Sequence, residues 1–184
     1  MNKKELRKEL LSRRRNMDKA YKQSCDNLIY HKLIGCAEII AADTVLTYIS
    51  TEIEVDTVKF IETMLKKGKT VAVPRCEGKN MRFIRINGFD SLKKGAFGIL
   101  EPVGNDEVTD FKSSVCITPA LSFNRDGYRL GYGGGYYDRF SADYSGIMIG
   151  ICYEDFVDEI PVEEFDRPVS ILITDKEMRC DLGR

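Results

Sequence analysis

Three consecutive glycines lie among side chains that bind anions and metal ions, in the segment RLGYGGGYYDRF at residues 129–140. Glycine lacks a Cβ, so its backbone N–H groups can approach a ligand closely and its φ can be positive. Arg129 and Arg139 supply positive charge, and the start of a following helix supplies further N–H donors. Asp138 would repel a phosphate unless a divalent cation such as Mg²⁺ lay between them. These residue types together predict a phosphate site with a metal ion at Asp138.

The same residues are also typical of a plain tight turn, with Tyr136 and Tyr137 packed against the core. The common phosphate-loop motifs do not fit, because Tyr136 stands at the last glycine position of G-x-G-x-x-G and no G-K-[ST] follows. From this segment alone, a phosphate site and a plain turn remain open alternatives.

The N-terminal segment is a second source of positive charge, in a chain of 184 residues whose formal net charge is -1. It is predicted to form a helix over 3–17, because its leucines are one turn apart. Lys3 and Arg7 share one face of that helix, from which they can close over bound phosphates. The arginines at 13–15 are predicted to lie on a solvated face.

Two further acidic residues directly follow predicted strands. Glu54 lies just past a strand that is predicted to end at Ser50, where a carboxylate that binds a ligand would lie. Asp175 follows the last predicted strand, from which it can join Asp138 at a metal ion. The alternative for such residues is that they cap helices and turns.

Predicted strands alternate with predicted helices along the chain, and several strands are apolar on both faces. This pattern predicts an open, mostly parallel α/β sheet with helices on both faces, in one domain that spans residues 1–184. Ligands of such sheets bind beyond the carboxyl ends of the strands, where the glycine segment is predicted to lie. The predicted strands are 44–50, 70–74, 81–86, 114–121, 146–153 and 170–174, and the predicted helices are 3–17, 18–33, 56–68 and one that begins at 136.

The composition argues against several classes of protein. A nearly neutral chain is not a general polyanion binder, and no apolar run is long enough to cross a membrane. The basic N-terminal segment is not followed by a hydrophobic stretch, so it does not fit a secretory signal. The only histidine is His31, which argues against catalysis by a Ser–His or Cys–His pair. The six cysteines form no C-x-x-C pair and are predicted to be reduced, in a cytoplasmic protein.

The segment PALSFNRDGYRLGYGGGYYDRF at 119–140 resembles the signature of the 5-formyltetrahydrofolate cyclo-ligase family, whose members are also called 5,10-methenyltetrahydrofolate synthetases. The resemblance extends over nearly the whole chain and departs at Phe165, where many members carry a histidine before the aspartate. Its other elements are, in order, K-x-x-x-R at 3–7, E-V-D-T at 54–57, G-x-x-E-P at 98–102, G-x-x-Y at 150–153 and I-T-D at 173–175.

The resemblance implies an ATP- and Mg²⁺-dependent ligase of one-carbon metabolism that converts 5-formyltetrahydrofolate to 5,10-methenyltetrahydrofolate, with ADP and phosphate as products. In that reaction the γ-phosphate activates the formyl oxygen, which needs positioning and charge neutralisation more than a protein nucleophile, and the resemblance assigns no catalytic residue. It also implies an ATP site made of Lys3, Lys4, Arg7, Arg129, Gly131, Tyr132, Gly133, Gly134, Gly135, Tyr136, Tyr137, Asp138 and Arg139, a Mg²⁺ site at Asp138 and Asp175, and a folate site at Ile49, Glu54 and Tyr153.

The implied partners are these small molecules, with no nucleic acid and no membrane, for a monomer or weak homodimer. The alternative from another class is a non-catalytic nucleotide- or RNA-binding module that uses the basic helix and the exposed tyrosines. The nearly neutral charge and the lack of a recognised RNA-binding motif weigh against that module. An isomerase of sugar phosphates on a similar sheet is a further alternative, and it would not need ATP.

Overall fold

The structure is a computed structural model that describes residues 2–95 and 100–183. The α-helices of these residues are α1 (Lys3–Arg15), α2 (Lys19–Gly35), α3 (Ala37–Ala41), α4 (Val58–Lys66) and α5 (Tyr136–Asp143). The strands are β1 (Thr44–Leu46), β2 (Thr70–Glu77), β3 (Asn80–Ile86), β4 (Leu92–Lys94), β5 (Leu100–Pro102), β6 (Ser114–Thr118), β7 (Ser122–Phe123), β8 (Arg129–Leu130), β9 (Ile147–Ile151), β10 (Ile171–Ile173) and β11 (Met178–Arg179). The first two residues of the G-x-x-E-P element at 98–102 lie outside the described residues.

The central sheet has seven described strands in the order β11-β10-β9-β6-β1-β2-β3. The five inner strands, from β10 to β2, pair in parallel, and the two edge strands pair antiparallel to their neighbours. All five residues of β6 are buried, as expected for a central strand that is covered on both faces. The predicted fold, an open and mostly parallel α/β sheet in one domain, is confirmed.

The connections reverse direction in the middle of the sheet. From β1 the chain crosses through α4 to β2 on one side, and from β6 it crosses through α5 to β9 on the other. Because such crossovers are right-handed in nearly all proteins, α4 and α5 cover opposite faces of the sheet. The carboxyl ends of β1 and β6 therefore form the topological switch point, where sheets of this type bind their ligands.

Several predicted strands are longer than the observed ones. The β1 strand ends at Leu46 and the β6 strand at Thr118, although burial continues at Tyr48 and Leu121 beyond them. These apolar residues are buried by the segments that cross the end of the sheet, and they lie beyond the paired part of each strand. A sequence pattern shows that a residue is apolar, but it does not show which of these two environments buries it. The short α3, the β4–β5 and β7–β8 hairpins and β11 are not predicted, because elements of two to five residues have too little periodicity.

The first helix begins at a well-defined capping box. Asn2 Oδ1 accepts the backbone N–H groups of Lys4 and Glu5 at 3.0 Å, and the Asn2 N–H donates to Glu5 Oε2 at 3.1 Å. Leu6 and Leu10 bury the inner face of α1 in the core. No helix of the described residues is both long enough and apolar enough to span a bilayer.

Gly150 in β9 lets an aromatic ring pack directly on the sheet. A Cβ at this position would lie 2.5 Å from Cε1 and Cζ of Phe123 and 3.2 Å from Cγ2 of Val169. We expect Gly150→Ala to lower the free energy of unfolding by about 1 to 3 kcal/mol in urea denaturation, because the buried ring must shift. Gly35→Ala is the matched control, since a Cβ there meets no atom within 4 Å. Equal midpoints for both variants would contradict the close packing.

Candidate active site

A cavity of about 700 Å³ opens at the switch point, at the carboxyl ends of β1 and β6. Its volume lies in the ordinary range for small-molecule sites. Its walls come from α1, from the segment after β1, from β2 and β5, from the glycine segment and from the loop before β10. The predicted site residues that line it are Lys3, Arg7, Ile49, Glu54, Arg129, Gly131, Tyr132, Gly133, Gly134, Gly135, Tyr136, Tyr137 and Asp138.

The glycine segment forms a turn between β8 and α5. Positive φ angles occur at Gly133 (101°) and Gly135 (64°), whereas Gly134 lies outside the left-handed region. Gly135 precedes α5 as its N-cap and accepts the Arg139 N–H at 3.1 Å. The first N–H groups of α5 have no partner within the helix, so the turn presents backbone donors at the cavity wall.

Arg7 joins α1 to this turn. Its Nε donates to the Gly131 carbonyl oxygen at 2.9 Å, and its Cζ would lie 3.6 Å from a Cβ placed on Gly133. A side chain at Gly133 would therefore press on the guanidinium and strain the backbone at once. The cation and the glycine turn form one continuous surface.

Lys3 meets two carboxylates that the sequence analysis missed. Its Nζ lies 2.8 Å from Asp166 Oδ2 and 3.1 Å from Glu163 Oε2, and both acidic residues line the cavity. Burial alone would lower the pKa of the Lys3 ammonium, but the two carboxylates raise that pKa above its ordinary value. The one signal in the sequence was the place of Asp166 directly after Phe165, the position at which the family resemblance departs.

Arg129 and Asp138 form an ion pair under the turn. Arg129 Nη2 lies 2.5 Å from Asp138 Oδ1, and Arg129 Nη1 donates to the Arg167 carbonyl oxygen at 3.1 Å. The Arg129 side chain is 3% exposed and the Asp138 side chain 33% exposed. Asp138 thus gives one oxygen to the buried arginine and keeps part of its carboxylate accessible at the start of α5.

Glu54 is fixed on the opposite wall, in the segment after β1. It is 7% exposed, and its Oε2 accepts both the backbone N–H and the hydroxyl of Thr51 at 2.8 Å. Burial, and then the negative charge of Glu54, raise the pKa of the Tyr48 and Tyr132 hydroxyls. The carboxylate therefore lies among protonated phenols.

Four predicted site residues do not line the cavity. Lys4 is exposed on α1, and Asp175 lies past β10, two strands away from β6. Asp175 Oδ1 instead accepts the Glu154 N–H at 2.7 Å, so the structure does not bring Asp175 together with Asp138.

The other two, Tyr153 and Arg139, hold residues of the cavity wall in place. Tyr153 is fully buried, and its hydroxyl donates to Asp26 Oδ1 at 2.8 Å and to the Glu54 carbonyl oxygen at 3.0 Å. Arg139 donates to the Gly134 and Lys79 carbonyl oxygens at 2.8 and 3.0 Å, which ties the glycine turn to the β2–β3 hairpin.

Arg14 is buried, contrary to the predicted solvated face at 13–15. It is 3% exposed, and its guanidinium lies 4.7 Å from the ring centroid of Phe156. Its nitrogens donate to the carbonyl oxygens of Ile53 at 3.1 Å, Ala120 at 2.8 Å and Leu121 at 2.9 Å. One side chain of α1 therefore joins the segments that follow β1 and β6.

The fold and the cavity define a doubly wound α/β protein with a cavity at its switch point, between a cationic helix and a glycine turn. A comparison with protein families makes the assignment specific. Residues 1–175 match the model of the 5-formyltetrahydrofolate cyclo-ligase family, and the chain belongs to that family. The resemblance predicted from residues 119–140 is confirmed.

Similar proteins support the same assignment. The 5-formyltetrahydrofolate cyclo-ligase of Escherichia coli K12 is 29% identical over 171 residues, which cover 88% of this chain and 94% of that protein. The NMR structure of Aquifex aeolicus 5,10-methenyltetrahydrofolate synthetase superposes with a TM-score of 0.89 at 32% identity, over 100% of this chain and 95% of that one. A 5,10-methenyltetrahydrofolate synthetase from Mycoplasma pneumoniae, at 23% identity and a TM-score of 0.78 over 95% of this chain and 99% of that one, shares the fold.

We expect Arg14→Lys to lower the free energy of unfolding by about 2 kcal/mol or more, because an ammonium cannot reach all three carbonyls and leaves buried acceptors unpaired. Arg15→Lys is the matched control on the exposed side of the same turn, with an expected change within about 0.5 kcal/mol. Chemical denaturation of both variants measures the difference. A loss no larger than that of the control would show that the carbonyls do not depend on the guanidinium.

Proposed function

We propose that the protein is an ATP- and Mg²⁺-dependent ligase that converts 5-formyltetrahydrofolate to 5,10-methenyltetrahydrofolate with release of ADP and phosphate. The observation that carries the proposal is the meeting, in one cavity at the switch point, of a glycine turn, three cationic side chains and the buried carboxylate of Glu54. The first two features suit a polyphosphate, and the third suits the N–H groups of a pterin ring. The names of the family and of its members give the folate substrate and the folate product of this reaction.

The nucleotide side of the proposed site is the wall formed by α1 and the glycine turn. Lys3, Arg7 and Arg129 supply charge there, and the N–H groups at the start of α5 supply oriented dipoles. Arg139 and Lys4 lie outside the cavity, so we assign Arg139 to holding the turn and Lys4 to the outer surface of α1. Phosphoryl transfer requires this kind of positioning more than a protein nucleophile.

The net charge of the cavity supports the proposed dependence on a divalent cation. Its lining contains three cationic and five carboxylate side chains, which give it a formal charge of two negative units. A polyphosphate would be repelled from such a lining unless it entered with a counter-ion. The cationic residues are Lys3, Arg7 and Arg129, and the acidic ones are Glu54, Glu101, Asp138, Glu163 and Asp166.

The residues present fit a Mg²⁺ ion that is held mainly by its nucleotide. Among the described residues, no group of three or more histidine, cysteine or acidic side chains is arranged to hold a metal ion. Asp138, with part of its carboxylate accessible beside the N–H donors of α5, is the member of the predicted metal pair that lines the cavity. One carboxylate together with phosphate oxygens and water is a usual Mg²⁺ environment, and the ion supplies charge neutralisation at the phosphates.

The folate side of the proposed site is the wall that carries Glu54. Because Thr51 holds one of its oxygens, the carboxylate is oriented to accept hydrogen bonds from the amino and ring N–H groups of a pterin. Ile49 lines the same wall, and Tyr153 supports it by donating to the Glu54 carbonyl oxygen. We therefore assign Ile49 to substrate contact and Tyr153 to holding the wall.

The proposed reaction proceeds by activation of the formyl oxygen. The formyl oxygen attacks the γ-phosphorus of ATP, and the bond to ADP breaks. N10 of the folate then attacks the activated carbon and loses its proton, and phosphate departs with the former formyl oxygen. The protein contributes orientation of the two substrates and fixed positive charge near the phosphates, and these two effects supply most of the rate acceleration in catalysis of this kind.

The proposed setting is the cytoplasm, with the two small molecules as the only partners of a monomer or weak homodimer. The six cysteines are free, and four of them are buried, which is the state expected of thiols in a reducing compartment. Burial raises the pKa of the Cys152 thiol to about 11, which keeps that thiol protonated and unreactive.

We expect the purified protein to form the methenyl product, seen by its near-ultraviolet absorbance, when it is given 5-formyltetrahydrofolate, ATP and Mg²⁺. Removal of the metal by a chelator should abolish the signal, because a cavity of negative charge excludes free ATP. A folded protein that gives no product at any ATP concentration would contradict the proposal. Unchanged rates in the chelator would contradict only its metal dependence.

We expect Asp138→Asn to lose most of the stabilisation that Mg²⁺-ATP gives. At a ligand concentration of about 100 times its Kd, that stabilisation is about 2.7 kcal/mol for a normal site. The free variant should also be less stable, because buried Arg129 loses its carboxylate partner, so the shift in Tm is compared with the variant's own baseline. The control is Asp143→Asn at the exposed end of α5. If Asp138→Asn kept the full shift, Asp138 would not lie at the metal.

A further inference from the structure

One carboxylate of the cavity has no role in the proposed function. Glu101 lies in β5, within the G-x-x-E-P element, and lines the same cavity as Glu54. Its carboxylate packs against Gly95, where a Cβ would press on Glu101 Cδ and Oε2. The β5 strand packs against β2, whose Cys76 lines the same cavity. Burial, and then the charge of Glu101, raise the pKa of the Cys76 thiol. Glu101 therefore faces the interior from a third wall, apart from the glycine turn and from Glu54.

The four other carboxylates of the cavity are already engaged. Among residues 2–95 and 100–183, no ion pair involves Glu101. Glu54 is held by hydrogen bonds from Thr51 and not by a cation, so Glu101 is the one of the five carboxylates that has neither kind of partner among these residues. The engaged ones are Glu54 with Thr51, Asp138 with Arg129, and Glu163 and Asp166 with Lys3.

The surroundings of Glu101 match one part of the folate molecule. Pro74, Met81 and Leu100 give an apolar lining on this side of the cavity, which suits an aromatic ring. In a folate the aminobenzoyl ring is bonded directly to N10. When the pterin is held at Glu54 and the aminobenzoyl ring lies on the apolar lining, N10 comes to this side of the cavity, on which Glu101 is the carboxylate.

We propose that Glu101 is the catalytic base that takes the proton from N10 as N10 attacks the activated formyl carbon. This inference rests on the proposed function. The N10 lone pair forms the new C–N bond, the bond from carbon to the phosphorylated oxygen breaks, and phosphate leaves with that oxygen. The N10 proton moves to the Glu101 carboxylate and from there to water. Each bond and proton is accounted for, and no further reactant is needed.

The test separates chemistry from binding. We expect Glu101→Gln to lower kcat by about 100-fold, the lower end of the range for a lost general base, because the amide keeps the shape and cannot take the proton. The Kd values for 5-formyltetrahydrofolate and for Mg²⁺-ATP, measured by calorimetry, should stay within about twofold of the wild type. Glu107→Gln is the matched control, since Glu107 pairs with Arg82 outside the cavity, and it should keep the wild-type kcat.

A second variant distinguishes a base from a structural carboxylate. Glu101→Ala leaves space for a small acid, so added formate should restore part of its kcat in proportion to concentration. A kcat of Glu101→Gln near that of the control, a loss explained by weaker binding of either ligand, or a lost rate that formate does not restore would each overturn the inference. Failure of the wild type to form product would contradict the proposed function itself, whereas a normal wild type with any of these three results contradicts the role of Glu101 alone.

Discussion

The guanidinium of Arg14 holds together the two segments between which the cavity lies. Its three carbonyl partners, Ile53, Ala120 and Leu121, follow β1 and β6, the strands at which the sheet reverses direction. A buried cation without a carboxylate is stable only while such dipoles surround it. The guanidinium loses these partners if the two segments move apart, so its hydrogen bonds favour the arrangement in which both segments lie against α1.

The same helix extends this constraint to the charged groups of the cavity. Lys3, Arg7 and Arg14 lie at spacings of four and seven residues, on one face of α1. Lys3 meets the loop before β10, and Arg7 meets the glycine turn. Each cation already has an oxygen partner in the free protein, so its position does not depend on a ligand. Groups arranged in this way need little reorganisation when charge develops in a reaction.

Two kinds of feature are predictable from the sequence: a regular alternation of apolar segments, and functional residue types that lie close together in the chain. Apolar strands alternating with helices indicated the α/β class, and the glycine segment with Asp138 indicated one wall of the cavity. The burial of Arg14 could not be predicted from the sequence, because its partners are backbone carbonyls. Every residue has such a carbonyl, so the types of the neighbouring residues do not indicate the contact. The position of Asp175 directly after the last predicted strand suggests a metal site shared with Asp138, but strand order, which periodicity does not reveal, separates the two residues.

The ion pair that binds Lys3 to Asp166 joins residues 163 positions apart in the chain. Arg14 likewise reaches across 107 positions to the Leu121 carbonyl oxygen. Contacts of such separation form late, because the entropy of closing long loops must be offset before they contribute. The walls of the cavity are therefore joined by contacts of this kind, and the cavity has its final shape only when α1 has docked on the sheet. A chain that lacked this docked helix would lack the site as well.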